Sequence, residues 1–346
     1  MDAVILAGGE GTRLRPLTLR TPKQLVPILG QPLLGHLVGQ LAGFGVDRVV
    51  LAMTRNAASA AVVEAVRRDP TLRGSVPPGL AFVWAFEDRP LGSGGAVANA
   101  VAVLGAHEGT LLVCNGDLLS DIDLDAMRAA HRASGALVSI ALAEVDDPSA
   151  FGVVALGADD RIERFVEKPP RGTAPSNLVN AGYWLFEADA LARLSTDRPS
   201  RVEDELFPQL ADAGEAIFGY RHAGYWRDIG NPAAYLEAQL ELLDRRGDSV
   251  VSGPNTTVAA SATIERSCLG ADCEIGDSAS VNESVLWDGV RIGAGASVRR
   301  SVLAQGVTVG AGAQLDGVVV GHGATVAPGA VLDPGTSVDP APASEA

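Results

Sequence analysis

The chain has 346 residues, 47% of them apolar and 20% charged, and carries a formal net charge of −15. That length allows two domains with separate cores, and the acidic balance leaves no extended basic surface for nucleic acid or an anionic membrane. Three scattered cysteines and the lack of any ~20-residue apolar run exclude a disulfide framework and a spanning helix, so a reduced, cytoplasmic setting is expected.

Residues 1 to about 245 alternate strand-like and helix-like segments. Val4-Ile5-Leu6 reads as a short buried strand running into Gly8-Gly9-Glu10-Gly11-Thr12-Arg13, and the apolar start before those glycines is too short for a signal peptide. Leu33, Leu34, Leu37, Val38, Leu41 and Phe44 recur at helical spacing, with Gly45 placed to end the helix. Val49–Ala52, Leu80–Val83 and Leu111–Cys114 read as buried strands, with helices over Asn56–Arg68 and Gly95–Leu104 between them. Strands separated by helices predict an α/β fold with a mostly parallel sheet covered on both faces. Function in such sheets gathers at the carboxyl ends of the strands, where the glycine loop and Asn115-Gly116-Asp117 should meet. Asn231-Pro232 starts a last helix, striped by Leu236, Leu240 and Leu243 and ending near Arg246-Gly247. The first domain is therefore expected over residues 1–246.

From about residue 250 a repeat takes over. Val258, Ile275, Ile292, Val309 and Val326 are spaced by 17 residues, as are Ile264, Val281, Val298, Leu315 and Leu332, and Leu269, Leu286, Leu303 and Val320. Three aliphatic positions per period describe a triangular prism that inserts one side chain per face per coil. This is the hexapeptide pattern of a parallel β-helix, expected over 250–335, and it resembles the left-handed form of many acyl- and nucleotidyltransferases. Gly276, Gly293, Gly310 and Ala327 follow the inward aliphatics and read as tight corners. The tail, rich in Pro, Ser and Ala, is expected to be disordered over 336–346.

Of the 27 basic residues, only Lys23 and Lys168 are lysines. A chain that writes its other cations as arginine keeps lysine where a compact point charge is needed. Arg13, Arg15, Arg20 and Lys23 fall within eleven residues that contain no acid, which concentrates positive charge behind the glycine loop. Such a loop can aim backbone N–H groups at a phosphate. Taken alone it is a weak signal, and a plain strand-to-helix turn accounts for it at least as well. It lacks the Gly-Lys-Ser/Thr ending of a P-loop.

The run Leu6-Ala7-Gly8-Gly9-Glu10-Gly11-Thr12-Arg13-Leu14-Arg15-Pro16-Leu17-Thr18, followed by Thr21-Pro22-Lys23-Gln24-Leu25-Val26-Pro27, resembles the opening of the sugar-1-phosphate nucleotidylyltransferases. Asn115-Gly116-Asp117, Phe151-Gly152-Val153-Val154, Val166-Glu167-Lys168-Pro169, Asn180-Ala181-Gly182 and Trp226-Arg227-Asp228-Ile229-Gly230 match the same family in order. The resemblance covers about residues 1–245 and implies a Rossmann-like nucleotidyltransferase sheet. The reaction it implies joins an NTP to a sugar 1-phosphate and releases pyrophosphate. By the same resemblance Leu6, Gly8, Gly9, Gly11, Thr12, Arg13, Glu87 and Gly92 bind the nucleotide. Gly152, Glu167, Lys168, Asn180 and Gly182 bind the sugar phosphate. Arg13, Lys23, Asp117 and Lys168 are catalytic, and Asp117 and Asp228 hold Mg²⁺. Read without the family, Asp117 also fits an Asn-Gly-Asp turn and Asp228 a helix-start acid.

Glu87 stands where thymidylyl and uridylyl relatives tend to carry glutamine. A carboxylate only accepts, and guanine offers two adjacent donors, so GTP is favoured. The open alternative makes Glu87 a solvated loop acid, with the base read by backbone. Pro90-Leu91-Gly92-Ser93-Gly94-Gly95 and the stretch around Pro170 to Gly182 resemble the mannose-1-phosphate guanylyltransferase branch. Mannose 1-phosphate, a related hexose or a carbasugar phosphate is the expected acceptor. A thymidylyl-, uridylyl- or adenylyltransferase on glucose 1-phosphate and a non-catalytic regulatory paralogue are the alternatives. An acyltransferase β-helix would need a histidine base, and its one histidine, His322, reads as a solvent-exposed corner. The open coil ends predict a homo-oligomer. His36, His107, His131 and His222 show no interpretable pattern.

Overall fold

The computed structural model describes residues 1–74, 76–105 and 109–342. Contacts divide the chain into two compact units: Met1–Gly9 with Leu34–Trp226, and Glu10–Leu33 with Arg227 onward.

The first unit is built on a nine-stranded sheet. Its strands are β1 (Asp2–Leu6), β2 (Arg48–Thr54), β3 (Ala81–Glu87), β4 (Leu111–Asn115), β5 (Val138–Glu144), β6 (Gly152–Leu156), β7 (Ile162–Glu167), β8 (Leu178–Phe186) and β9 (Ile217–Arg221). The order is β7-β6-β8-β4-β1-β2-β3, with β5 paired to β8 and β9. Strands β4, β1, β2 and β3 are parallel. Neighbouring residues Val4 and Ile5 point to opposite faces, yet both are fully buried, so this part of the sheet is covered on both sides. The longer helices between these strands are α1 (Leu33–Gly43), α2 (Ala57–Arg68) and α3 (Gly92–Leu104), and α4 (Leu124–Ser134) lies between β4 and β5. Asn56 and Ser59 close a reciprocal capping box at the start of α2.

The other half of the sheet is mixed. Strand β8 runs antiparallel to β4, β5 and β6, and β6 to β7. The short link from β6 to β7 carries no crossover helix, and antiparallel pairing is what such a link permits; β8 then adds on the other side of β6, also antiparallel to it. The purely local reading found the parallel strands and overlooked these.

In the second unit the coils form three parallel sheets of six, five and five strands. Each 17-residue series is one sheet in register: Val258 pairs Ile275, then Ile292, Val309 and Val326. Ile264 to Leu332 and Leu269 to Val320 follow suit. From Leu269 to Val326 these side chains are buried in one column-like core, each worth about 1.5–3 kcal/mol of burial. The corner reading needs a correction. Gly276, Gly293 and Gly310 do not have positive φ; glycine stands there because a Cβ on Gly310 would lie 2.4 Å from the backbone nitrogen of Pro328 in the next coil. The left-handed turns fall two residues later, at Ser278, Gly295, Gly312 and Gly329.

A buried serine ladder was not foreseen. The Ser284 N–H donates to Ser267 Oγ at 3.1 Å, the Ser301 N–H to Ser284 Oγ at 3.1 Å, and the Val318 N–H to Ser301 Oγ at 3.0 Å. The β-helix also continues into the segment expected to be disordered. Ser337–Val338 pairs Val319–Val320, and the Ala341 N–H donates to the His322 carbonyl at 2.9 Å. Val338 follows Val320 by one residue more than the repeat, which hid the strand. Residues 343–346 lie outside the described ones. The helix before the coils, α5 (Pro232–Arg246), is capped by Asn231 and ended by Gly247 as expected.

Candidate active site

At the carboxyl edge of the first unit's sheet, Leu6 is hydrogen-bonded in register with both Ala52 and Asn115. The Gly116 N–H donates to the Leu6 carbonyl at 2.9 Å. A Cβ on Gly116 would lie 2.8 Å from that oxygen, so only glycine lets the two segments touch. The first residues of the glycine loop and the Asn-Gly-Asp turn are thus one junction, with Gly8 and Gly9 exposed and Asp117 half-buried beside it. Burial, and then the charge of Asp117, pushes the Cys114 thiol up to about 12, leaving it inert.

Strand β3 runs on to Glu87 instead of ending at Val83. Glu87 is 6% exposed, which corrects the solvated-loop alternative. One carboxylate oxygen accepts from the Leu91 N–H at 3.0 Å, and burial raises the carboxyl above its ordinary range. Gly92 has φ of 72°, and a Cβ there would fall 2.4 Å from the Ser200 carbonyl. That carbonyl accepts from the Gly94 N–H at 2.9 Å. The first turn of α3 is thereby engaged within the chain.

Gly152 faces Glu167 across the β6–β7 pair. A Cβ on Gly152 would lie 2.5 Å from Phe165 Cζ and 2.9 Å from Glu167 Oε2, so the glycine makes room for the acid. Glu167 holds Lys168 at 3.2 Å and Arg201 at 3.1 Å. Lys168 has φ of 45°, its N–H bonded to the Phe151 carbonyl at 2.9 Å, and its side chain is exposed. Arg201 also pairs Asp204 at 3.3 Å. It was missed because nothing local distinguishes it from the other arginines. Asn180 Oδ1 accepts from the Gly182 N–H at 2.9 Å and Trp184 Nε1 at 2.8 Å, which leaves the amide NH₂ as the end that can donate outward. Gly182, φ 74°, sits in the bulge between Asn180 and Trp184.

The second unit holds Gly11, Thr12, Arg13, Lys23 and Asp228. Gly11 has φ of 63°, and its carbonyl accepts from the Leu14 N–H at 2.9 Å and Thr18 Oγ1 at 2.7 Å. A Cβ on Gly11 would lie 3.1 Å from Lys23 Cβ, so the lysine, 7% exposed, packs against the loop. Thr12 and Arg13 are exposed. A Cβ on Gly230 would be 3.0 Å from Asp228 Oδ2 and 3.5 Å from both terminal nitrogens of Arg13; acid and guanidinium both close on this buried glycine.

No three His, Cys, Asp or Glu side chains form a metal-binding group among the described residues. Asp117 belongs to the first unit and Asp228 to the second; a carboxylate is a ligand type that Mg²⁺ accepts, since the ion keeps waters and takes substrate phosphates as its remaining ligands. His322 is a second correction. It is 5% exposed, with Nε2 at 3.0 Å from the Leu17 carbonyl. His131 is buried between Ser139 at 2.7 Å and Glu187 at 2.8 Å; His107 lies outside the described residues. No described helix is long and apolar enough to cross a membrane.

The family model described as "Nucleotidyl transferase" matches residues 2–245, and that described as "EIF2B subunit epsilon LbH domain" matches residues 234–339. A mannose-1-phosphate guanylyltransferase of Mycobacterium tuberculosis is 36% identical over 287 residues, covering 80% of this chain and 77% of the relative. A probable mannose-1-phosphate guanylyltransferase 2 of Arabidopsis thaliana is 38% identical over 279 residues, covering 78% of this chain and 74% of the relative. Among solved structures, HddC from Yersinia pseudotuberculosis superposes with a TM-score of 0.58 at 27% identity, over 70% of this chain and 99% of that one.

Proposed function

The chain belongs to the nucleotidyl transferase family and is a sugar-1-phosphate nucleotidylyltransferase, and from that premise we propose that it joins GTP to mannose 1-phosphate or a closely related hexose or carbasugar phosphate. An oxygen of the sugar phosphate attacks the α-phosphorus, the bond from that phosphorus to the β-bridging oxygen breaks, and pyrophosphate leaves. Two polyanions must meet in line, so positioning and neutralisation dominate the barrier. In this reading Gly8, Gly9, Gly11 and Thr12 cradle the triphosphate, with Leu6 and Gly92 flanking the nucleoside. Arg13 and Lys23 neutralise charge on the phosphates. Lys168 grips the sugar phosphate, Glu167 accepts from sugar hydroxyls, and Asn180 and the backbone of Gly152 and Gly182 complete that pocket. Asp117 and Asp228 would hold Mg²⁺, whose charge lowers the repulsion between the two esters. We assign these roles to a catalytic domain of residues 1–246, followed by the β-helix.

One observation carries the choice of base: Glu87 is a buried carboxylate at the end of β3, able to accept from guanine N1–H and the 2-amino group. The names of the relatives favour the same base and sugar. Pyrophosphate release measured with GTP, ATP, UTP, CTP and dTTP against a panel of hexose and carbasugar phosphates tests it. Preference for dTTP, UTP or ATP with glucose 1-phosphate would replace it, and no turnover with any pair would favour a regulatory paralogue.

The proposal includes a cytoplasmic homo-oligomer. The edge strand Thr257–Val258 supports assembly, with Val258 45% exposed at the end of its sheet. Light scattering at micromolar concentration checks it, and a monomer there removes it.

A further inference from the structure

Segment 10–33 carries Arg13 and Lys23 on three short 3₁₀ turns, Thr12–Leu14, Leu17–Leu19 and Lys23–Leu25. Turns this short have little ladder of their own, so outside contacts must fix them. Three buried side chains of the same unit hold the segment, two just after the last turn and His322 at the turns themselves. Tyr235 on α5 donates its hydroxyl to the Pro27 carbonyl at 2.5 Å and accepts from Trp287 Nε1 at 2.9 Å. Gln239, one turn on, donates to the Pro27 carbonyl at 2.7 Å and accepts from the Leu29 N–H at 2.8 Å. His322 Nε2 lies 3.0 Å from the Leu17 carbonyl and 3.2 Å from Thr21 Oγ1. A carbonyl only accepts, so Nε2 carries the proton and donates.

The Trp287 ring joins these anchors, edge-on to Tyr235 at 6.4 Å and to His322 at 5.3 Å. The repeat itself gives no reason for a tryptophan there. Gly270, Ala304 and Gly321 occupy the equivalent position in other coils, and a Cβ on Gly270 would already lie 2.4 Å from Asp288 Oδ1. Position 287 breaks the coil's own rule and serves a contact outside it.

We propose that His322, supported by Trp287 and Tyr235, is a positioning residue for nucleotidyl transfer: the β-helix sets the turns that carry Arg13 and Lys23. Leu17 lies between the two cations and Thr21 two residues before Lys23, so losing the imidazole bond loosens both. Burial, with the charge of Arg20, lowers the His322 pKa, so at neutral pH the ring stays neutral and its N–H stays on Leu17. The inference rests on the catalytic reading of Arg13 and Lys23 given above.

The test uses the full-length protein. His322→Phe keeps a ring against Trp287 and removes the donor, and His322→Gln restores an N–H near the Nε2 position. His322→Phe should lower kcat by about 10–100-fold, the scale of a ~1 Å misplacement, with KM for GTP nearly unchanged. His322→Gln should recover most of kcat, and Tyr235→Phe should fall between. In His322→Phe, amide exchange over residues 14–26 should accelerate while α5 stays protected. Wild-type kcat and exchange in His322→Phe, or no recovery in His322→Gln, overturns the proposal. If His322→Phe does not fold, Tyr235→Phe decides by the same two readouts. A wild type inactive on every NTP and sugar phosphate, with loop exchange still faster in His322→Phe, would sink the catalytic reading alone. Activity abolished in Arg13→Ala but untouched in His322→Phe would sink the positioning alone.

Discussion

The α/β sheet and the β-helix obey different rules. In the β-helix each coil repeats its neighbour, so one spacing dictates which residue pairs with which, and Ile275, Ile292 and Val309 stack as the period requires. In the sheet, β1 touches β4 across more than a hundred residues, and no local period announces it. The regular region therefore makes departures informative, Trp287 being one. In the irregular region every residue is its own case, and tight glycine contacts such as Gly116 on Leu6 bring distant loops together.

Four substitutions sharpen or break that contrast. Arg13→Ala should lower kcat by about 10²–10³-fold or more while the melting curve hardly moves, because an exposed cation contributes charge stabilisation and little packing; unchanged pyrophosphate release would remove the loop from the chemistry. Leu303→Ala should do the reverse, destabilising the protein by about 2–5 kcal/mol in denaturant titration with kcat intact in the folded fraction. Ser284→Ala strips the acceptor from the Ser301 N–H and should cost about 1–3 kcal/mol; a neutral result would mean the ladder is replaceable by packing.

The smallest effect concerns Glu87 and pH. Its folded pKa is raised by burial, so the folded state binds this proton more tightly than the unfolded chain. Its contribution to stability is present below the ordinary carboxylate range and lost as pH rises through the raised value. Recognition of guanine runs the other way, since only the ionised form accepts twice. KM for GTP should rise as pH falls through that raised pKa, and Glu87→Gln should flatten the profile. A profile identical in wild type and variant would return the base to backbone recognition.

Much of this was legible in the residues. The three aliphatic series gave the coil register outright, since a parallel β-helix has no other way to bury one side chain per face. Asn231-Pro232 and Gly247 marked α5 because capping chemistry is local. Antiparallel β8 was not legible, since its partners β4 and β5 lie far back in the chain and leave no mark on its own pattern. The role of Gly310 was misread because crowding by Pro328 lies one coil away in sequence. His322 reads as a solvated corner in the sequence because its partners, Leu17 and Thr21, lie about 300 residues earlier. Arg201, paired with Glu167, has no neighbouring motif at all.

Trp287 and His322 stand two coils and one residue apart; Trp287 reaches Tyr235 on α5, and His322 reaches Leu17 on the N-terminal segment. That interval is a ruler. A β-helix can ordinarily gain or lose whole coils without harm to its core, yet deleting 17 residues between these rings would slide the imidazole by about 4.8 Å, one strand spacing. Coil number between them is thus pinned, and the Trp287–Tyr235 bond pins the coils between α5 and Trp287 in the same way.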